Sequence, residues 1–537
     1  MKITSMAVVA LVVAAAAPAR AQSVTLTLDD AVKRAVEHNP DLAIVKLATE
    51  VEAARVGESQ TAYTPMLSTT LGRSSITTPP TNFLLGTQGI DTGDWFSSAG
   101  VRQRVPFGNG TWSLSWDAAR TTSNSPLNSF DPSVASGFQI AYSQPLVRDR
   151  KIDAARVQYL IAKRNASSSD LRFRESVVQT VAAVKQAYWT LKALRANVDV
   201  QQRSLELAEQ LEKENAVRVR VGQSPPIDLV QVQTEAAQRR ENLIAARAAA
   251  DDGEDRLRRL IMDPNDLAFW QAHLDLVDDP QGSGDLPDLD AVVAKAQNER
   301  YDIARARNDV SNATTNVEFH SNQRLPDVRL ETSYAGSGLG GVQLLRTGTF
   351  PGVVTGTANS GFGSVLGQTF GTNYPTWSLG VTVSYPIGRS FEDVSKVQAD
   401  VERRQVVQRI ASLQLDVAAS LRQAARQVRS TAERGDAARA GATLAEQRLE
   451  TEQRRYEVGL STSFLVTQAQ RDLLQAQVNL LQATLDYQSS LVTFEALQLA
   501  PAVSGGNSVS VSGSAIQPIA PPTPQGIFRS ASGGFQP

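Results

Sequence analysis

The segment WSLGVTVSY, residues Trp377–Tyr385, alternates apolar and small polar side chains without a break. Successive side chains of a β-strand point to opposite faces, so this period of two predicts a strand with one apolar and one polar face. Its length suits a tilted transmembrane strand. A strand in a soluble β-sandwich shows the same alternation, and the segment alone leaves both interpretations open.

The same alternation occurs around Val328–Tyr334, Trp112–Asp117 and Phe138–Tyr142. These segments define two strand zones, residues 65–148 and 326–388. Aromatic side chains at strand ends are typical of a membrane interface. The aromatic residues that we assign to this role are Trp95, Trp112, Trp116, Trp377 and Tyr385.

Gly-, Pro- and Ser-rich segments interrupt both zones, at Arg73–Asp94 and Gly336–Pro375. The second contains eleven of the 35 glycines. We expect the second to be a flexible loop. The first zone holds four strand-like runs, with an extra hairpin around Val101–Ala118 that turns at Gly108–Gly110. Whether this hairpin widens a barrel, folds over its mouth or lines it is left open by the sequence.

Helical segments of unusual length precede and follow each strand zone. The predicted helices are Leu28–Ala62, Asp149–Val221, Ile227–Ile261, Leu289–Gln323, Glu392–Val458 and Phe464–Leu499. A helix of about 70 residues spans about 100 Å, which requires partners along its whole length. Apolar residues at alternating steps of three and four predict coiled-coil seams. The two seams are Val177, Val181, Val184, Tyr188, Leu191 and Val198, and Leu474, Val478, Leu481, Leu485 and Val492.

The chain contains an internal duplication. Leu28-Asp29 and Asp41-Leu42 recur 261 residues later as Leu289-Asp290 and Asp302-Ile303. Leu207–Gln210 and Val221-Gly222 recur 237 residues later as Leu444–Gln447 and Val458-Gly459. Ordered matches across helices and turns indicate two copies of one unit.

These patterns give the domain layout. Residues 1–21, with Lys2, an apolar run and an Ala-x-Ala site at Ala19–Ala21, are expected to be a signal peptide. The first repeat covers 22–261, with its helical hairpin at 149–261, and a linker at 262–287 follows; a small belt domain is possible there. The second repeat covers 288–500, with its hairpin at 392–499, and a disordered tail covers 501–537.

Composition excludes several classes of function. The net charge of −2 gives no reason to expect a nucleic-acid partner. The absence of cysteine excludes thiol chemistry, disulfides and a lipid-bearing cysteine anchor. After the signal peptide no apolar run is long enough for a transmembrane helix, although an exported chain can still cross a membrane as a closed barrel. The sequence shows no nucleotide motif, no metal-ligand spacing among its three histidines and no catalytic constellation. We therefore expect no cofactor, no metal and no enzyme activity.

Taken together, the duplication, the Asn39–Leu42 helix start and the paired glycine turns resemble the TolC-like outer-membrane efflux family. The resemblance implies a membrane β-barrel continued by a long α-helical coiled-coil barrel. It implies a homotrimer in which each copy gives four strands to a twelve-stranded barrel in the outer membrane of a Gram-negative-type cell. It also implies helices in the periplasm that dock a periplasmic adaptor protein and an inner-membrane pump.

The resemblance further implies a gate where the helical hairpins turn. Gly222 and Gly459 mark the two turns, and Asp228 is expected to bond to Tyr456. The alternative is that Asp228 has only a structural role, as a charge or cap at the start of a helix. Ser461 stands where the family's best-known gate has an arginine. Leu465 and Gln468 stand where the same family member has acidic residues around its constriction, so we do not expect that acidic ring here.

We therefore expect a passive exit duct for a tripartite efflux or type I secretion system. The alternatives are a non-conducting, envelope-spanning coiled-coil protein anchored by a barrel and, less favoured, a soluble periplasmic scaffold.

Overall fold

A computed structural model describes residues 23–79, 89–266, 269–270, 272–280, 287–349, 352–371 and 373–501. The predicted signal peptide and all but the first residue of the predicted tail lie outside these residues. Among the helices in the described ranges, none is both long and apolar enough to span a membrane.

The helices are α1 (Leu28–His38), α2 (Pro40–Gln60), α3 (Ala154–Arg220), α4 (Pro226–Ile261), α5 (Leu289–Glu299), α6 (Tyr301–Gln323), α7 (Phe362–Phe370), α8 (Phe391–Glu457) and α9 (Ser463–Leu497). The strands are β1 (Ser23–Leu26), β2 (Met66–Thr78), β3 (Ile90–Arg104), β4 (Thr111–Ser123), β5 (Phe130–Pro145), β6 (His273–Leu276), β7 (Asp327–Thr347), β8 (Val353–Ser360) and β9 (Pro375–Ser384). Helices α3 and α8 have 67 residues each, which confirms the two very long helices.

One antiparallel sheet collects both strand zones, in the order β2-β3-β4-β5-β7-β8. Strand β9 pairs with the first half of β7, from Asp327 to Gly336, and β8 pairs with the second half, from Gly341 to Thr347. The four strand-like runs of the first zone are confirmed as β2 to β5. Among the described residues the sheet has seven strands, compared with the four per copy that the resemblance implied for the barrel.

The second glycine-rich segment is not simply a loop, so that expectation was wrong. In the first segment, strand β2 continues past Arg73 to Thr78, and β3 begins at Ile90. The segment Gly336–Pro375 contains the end of β7, all of β8 and helix α7. Glycine serves close packing here: a Cβ on Gly338 would lie 2.2 Å from the carbonyl oxygen of Val365 in α7.

The first predicted helix of each repeat, Leu28–Ala62 and Leu289–Gln323, is in fact two helices. In the first repeat the chain breaks at Asn39, whose side chain accepts from the backbone N–H groups of Asp41 and Leu42 and is followed by proline. Asn39 also donates to the carbonyl of Leu260 at the end of α4, at 3.0 Å. A proline removes a backbone donor and disfavours helical conformation in the preceding residue, which explains this break.

The second repeat makes the matching break without a proline. Arg300 donates to the carbonyl of Leu497 at the end of α9, at 3.0 Å, and its guanidinium forms a two-pronged contact with Asp302 at 3.0 and 2.7 Å. Arg300 stands 261 residues after Asn39, and Leu497 stands 237 residues after Leu260. The duplication predicted from sequence offsets is therefore repeated in contacts that tie each helix break to its returning helix.

The predicted linker contributes to a packed unit. Strand β6, within residues 262–287, pairs in parallel with β1. The hydroxyl of Tyr188 in α3 donates to the carbonyl of Leu26 at 3.1 Å and contacts the Asp278 carboxylate at 2.9 Å. Burial raises the pKa of Tyr188 to about 12, so this phenol remains a neutral donor. The segment that leads into the second repeat is therefore packed against the middle of α3.

Only part of each predicted seam is buried within one chain. Val184, Tyr188 and Leu191 are fully buried in α3, whereas Val177, Val181 and Val198 are half-buried. In α9, Val492 is buried, and the remaining predicted residues, Leu474, Val478, Leu481 and Leu485, are half-buried. The buried face of α9 is instead marked by Leu473, Tyr487, Phe494 and Leu497.

Candidate functional site: the sheet faces and the helical turns

The sheet has one apolar face and one polar face. Residues paired across neighbouring strands share a face, so the strand register assigns every side chain. One row that crosses six strands consists of Leu67, Val101, Leu114, Ile140, Tyr334 and Trp377. The adjacent row on the other face consists of Met66, Arg102, Ser113, Ala141, Ser333 and Ser378. We call these the apolar face and the polar face.

The apolar face is exposed except where α7 packs on β5 and β7, with Phe370 of α7 stacked on Phe138 at 5.2 Å between ring centroids. Leu71 is 80% exposed, Trp377 73% and Leu379 67%, and every residue of β9 is exposed. An exposed apolar surface of this extent is typical of contact with lipid or with another protein.

Five charged side chains in the middle of the sheet lie on the polar face. They are Asp94, Arg102, Asp117, Arg329 and Glu331. On the apolar face Arg73 and Arg120 lie on either side of Trp95 in the strand register, and the Arg73 guanidinium lies 5.3 Å from the ring centroid of Trp95. From Met66 to Leu71 and in the residues paired with them, the charged side chains lie on the polar face alone, as a wall between lipid and water requires, because charges on a lipid-facing surface are destabilising.

The four predicted interfacial tryptophans all lie on the apolar face. Trp112 and Trp377 are near strand ends, whereas Trp95 and Trp116 are within β3 and β4. The indole of Trp116 donates to the hydroxyl of Ser136 at 3.0 Å, which satisfies its polar atom inside the sheet. Tyr385 follows β9 and is exposed.

The helical hairpins turn in the same way in both repeats. Gly222 has φ +77° and Gly459 has φ +78°, the left-handed conformation that glycine adopts readily. The backbone N–H after each glycine donates to a carbonyl five residues earlier: Gln223 to Arg218 and Leu460 to Arg455, both at 2.8 Å. This bond pattern ends a helix sharply. The helix-ending conformation predicted for both glycines is confirmed.

Tyr456 is buried just before the second turn, where it contacts α3. Its hydroxyl donates to Asn215 Oδ1 at 3.2 Å, and the guanidinium of Arg218 lies 4.0 Å from its ring centroid. Burial raises the pKa of Tyr456, so the phenol stays protonated at neutral pH and keeps donating. Asn215 is itself fully buried and donates to the carbonyl of Leu211 at 2.9 Å.

The bond from Asp228 to Tyr456 that the resemblance implied is not formed within this chain, because the hydroxyl is directed at Asn215. Asp228 lies in the first turn of α4, and its backbone N–H donates to the carbonyl of Pro225 at 3.1 Å. Asn215 and Arg218 were not among the predicted residues. The only signal for Asn215 was a short polar residue inside a long helix, which is more often solvent-exposed.

The other predicted residues lie in the second turn and at the start of α9. The hydroxyl of Ser461 donates to Glu452 Oε2 at 2.8 Å. Leu465 is in the first turn of α9 and is exposed. Gln468 donates to Asp472 Oδ1 at 2.8 Å, and Arg448 pairs with the same carboxylate at 2.6 Å. An acidic side chain therefore lies one helical turn beyond Gln468.

A buried charge cluster joins the two repeats near the turns. Glu235 in α4 pairs with Arg239 and with Arg471 of α9. Burial alone would raise the pKa of Glu235, but the hydrogen bond from Arg471 and the charges of Arg239 and Arg471 outweigh it and lower the pKa. Within the described ranges, no group of three or more His, Cys, Asp or Glu residues is arranged to hold a metal ion.

A sheet with one lipid-compatible face, joined to helices about 100 Å long, defines the class of outer-membrane channels with helical extensions. The family described as "Outer membrane efflux protein" matches residues 109–261 and 292–498, which is more than half of the chain. The chain therefore belongs to the outer membrane efflux protein family, whose TolC-like fold it shares.

Solved structures of this fold agree. The Campylobacter jejuni CmeC outer membrane channel is similar, with 15% identity and a TM-score of 0.62, over 88% of this chain and 85% of that chain. VceC, the outer membrane protein of Vibrio cholerae, has 14% identity and a TM-score of 0.60, over 88% and 96%. The open-state Neisseria gonorrhoeae MtrE outer membrane channel has 16% identity and a TM-score of 0.58, over 88% and 89%. Among curated proteins no match is found.

Proposed function

We propose that this protein is a passive exit duct of a tripartite efflux or type I secretion system. Three copies would form the duct in the outer membrane, with the helices in the periplasm. A periplasmic adaptor would join the helical turns to an inner-membrane pump, which selects the substrate and supplies the energy. The mature chain would begin after the signal peptide, without a lipid anchor.

The observation that carries this proposal is the separation of the sheet into an apolar and a polar face. The polar face holds most of the charges and the small polar residues that suit a water-filled interior, and the apolar face holds exposed Leu, Val and Trp. A non-conducting rod has no need of a polar face enclosed within a membrane wall, so the separation favours conduction over the structural alternative.

We further propose that Asp228, Tyr456 and the two glycine turns form the closed end of the duct. The support for this role is that Tyr456 joins α8 to α3 through Asn215 beside the turns at Gly222 and Gly459. Separating these helices would widen the end of the tube, and loss of the Tyr456 hydroxyl bond would favour that separation.

Planar-bilayer recording of the purified, detergent-extracted protein tests both proposals. We expect the wild type to give discrete single-channel steps of low conductance. Tyr456→Phe removes one hydroxyl, Asp228→Ala removes one charge, and at least one of them should raise the single-channel conductance severalfold. Tyr374→Phe, an exposed tyrosine between α7 and β9, is the matched control and should leave the conductance unchanged. No conducting steps from the wild type would reject the duct. Wild-type steps that neither variant enlarges would reject only the gate.

A further inference from the structure

The sheet presents two unpaired edges at the level where it would cross a membrane. In the part of the chain that the structure describes, β2 pairs only with β3, and β9 pairs only with the first half of β7. Each edge carries a row of backbone N–H and C=O groups. In hydrocarbon each unsatisfied group costs several kcal/mol, so these edges require partners.

The hairpin formed by β3 and β4 is part of the sheet and is not folded over the mouth of a barrel. Met66–Thr78 pairs residue by residue with Ile90–Arg102. Residues Thr92–Arg104 of β3 pair in turn with Thr111–Ser123 of β4, without a register shift. The apolar and polar faces also continue across both strands: Val101 and Leu114 lie on one face, and Arg102 and Ser113 on the other. Strands β3 and β4 therefore have the properties of wall strands.

Six strands form the sheet from one open edge to the other, in the order β2, β3, β4, β5, β7 and β9. Neighbours are antiparallel throughout, so β2 and β9 run in opposite directions. An even number of strands lets β9 of one copy meet β2 of a second copy as another antiparallel pair.

The two edges also match in length and chemistry. All of β9, from Pro375 to Ser384, can pair with residues 66–75 of β2 when Val383 is placed opposite a second copy's Leu67. This register sets Leu379 opposite Leu71 and Trp377 opposite Arg73, all on the apolar face. Arg73 already contacts Trp95 of its own chain, so the register places its guanidinium between two indole rings.

The same register gives a realistic barrel. The apolar row that begins at Leu67 ends at Trp377, and Trp377 then meets Arg73 of the next copy, six residues further along β2. A shift of six residues over six strands, at about 3.3 Å per residue and about 4.8 Å between strands, tilts the strands by about 35°. Transmembrane barrels have tilts of about 35–45°.

We propose that each copy contributes six strands to the membrane wall, with β9 of one copy paired to β2 of the next. The inference rests on the proposed trimeric duct, in which it gives a barrel of eighteen strands instead of twelve. Because barrel diameter grows roughly linearly with strand number, the barrel would be about one and a half times as wide. The family match begins at residue 109, just before β4, so it leaves out β2 and β3 together with α1 and α2.

Disulfide formation between introduced cysteines tests this pairing, and the absence of cysteine from the natural sequence removes background. Ser68→Cys combined with Thr382→Cys places two thiols opposite each other on the polar face in the proposed register. Oxidation of the assembled protein in detergent should shift the monomer band to covalent dimer and trimer on a non-reducing gel, and reductant should reverse the shift.

Two control pairs fix the interpretation. Ser333→Cys with Ser378→Cys joins neighbours within one chain, whose hydroxyls lie 2.7 Å apart, and should oxidise without forming oligomers. Ser68→Cys with Ser378→Cys is four residues out of register and should not cross-link.

A twelve-stranded barrel built from β4, β5, β7 and β9 would instead place β4 at the edge, so Ser113→Cys with Thr382→Cys is the competing pair. Covalent trimers from this pair, or from neither pair, would overturn the six-strand wall. The size of the assembly in detergent, measured before oxidation, tests the duct separately, because a monomer there contradicts the proposed function itself.

Discussion

At the residue scale, the contacts that hold the two repeats in place are buried polar groups. Asn39 and Arg300 occupy equivalent positions but differ in chemistry, one a neutral amide and the other a paired guanidinium. The sequence predicted that both positions belong to matching segments. It did not predict their partners, because Leu260 and Leu497 are about 200 residues away and are reached only through the fold.

Loss of Arg300 should strongly destabilise the second repeat. Arg300→Ala leaves the buried carboxylate of Asp302 without its partner, which typically costs about 3–5 kcal/mol. Arg422 forms a comparable but exposed pair with Asp290 at 3.4 Å, so Arg422→Ala should cost at most about 1 kcal/mol. Denaturant unfolding of the helical signal compares them. Equal stability of the two variants would refute the importance of the buried pair.

At the scale of elements, amphipathic periodicity predicted the strand cores and the long helices within a few residues of their observed bounds. Composition was a poor guide to β8 and α7, because glycine was interpreted only as a source of flexibility. In this sheet glycine also allows close approach: Gly336, Gly338 and Gly340 lie under α7. The side chain of Gln368 in α7 accepts from the backbone N–H of Leu339 at 3.2 Å, between the parts of β7 paired with β9 and β8.

A side chain at Gly338 should displace α7. Gly338→Ala would put a methyl group 2.2 Å from the carbonyl oxygen of Val365, and overpacking of this kind typically costs about 1–3 kcal/mol. Gly380 in β9 has open space at its Cβ position, so Gly380→Ala is the matched control. We expect a lower melting temperature of the folded protein for Gly338→Ala alone. A melting temperature that the two variants share would show that α7 does not need this glycine.

At the scale of the whole molecule, the decisive property is that one chain cannot satisfy its own sheet. Among the described residues its apolar face is exposed outside the area that α7 covers, its edges β2 and β9 are unpaired, and parts of its helical seams are half-buried. The duplication and the family resemblance could be predicted from the sequence. The sheet of six strands from one open edge to the other could not be predicted, because runs of alternating residues do not reveal which strands become neighbours.

Electron cryomicroscopy of the full chain, purified in detergent and placed in lipid nanodiscs, would show directly how the copies assemble. We expect three copies around one closed sheet, with Leu71, Trp377 and Leu379 facing lipid and Arg102 and Glu331 facing a water-filled interior. A chain that is a stable monomer in water without detergent, or a closed sheet with these faces reversed, would contradict it.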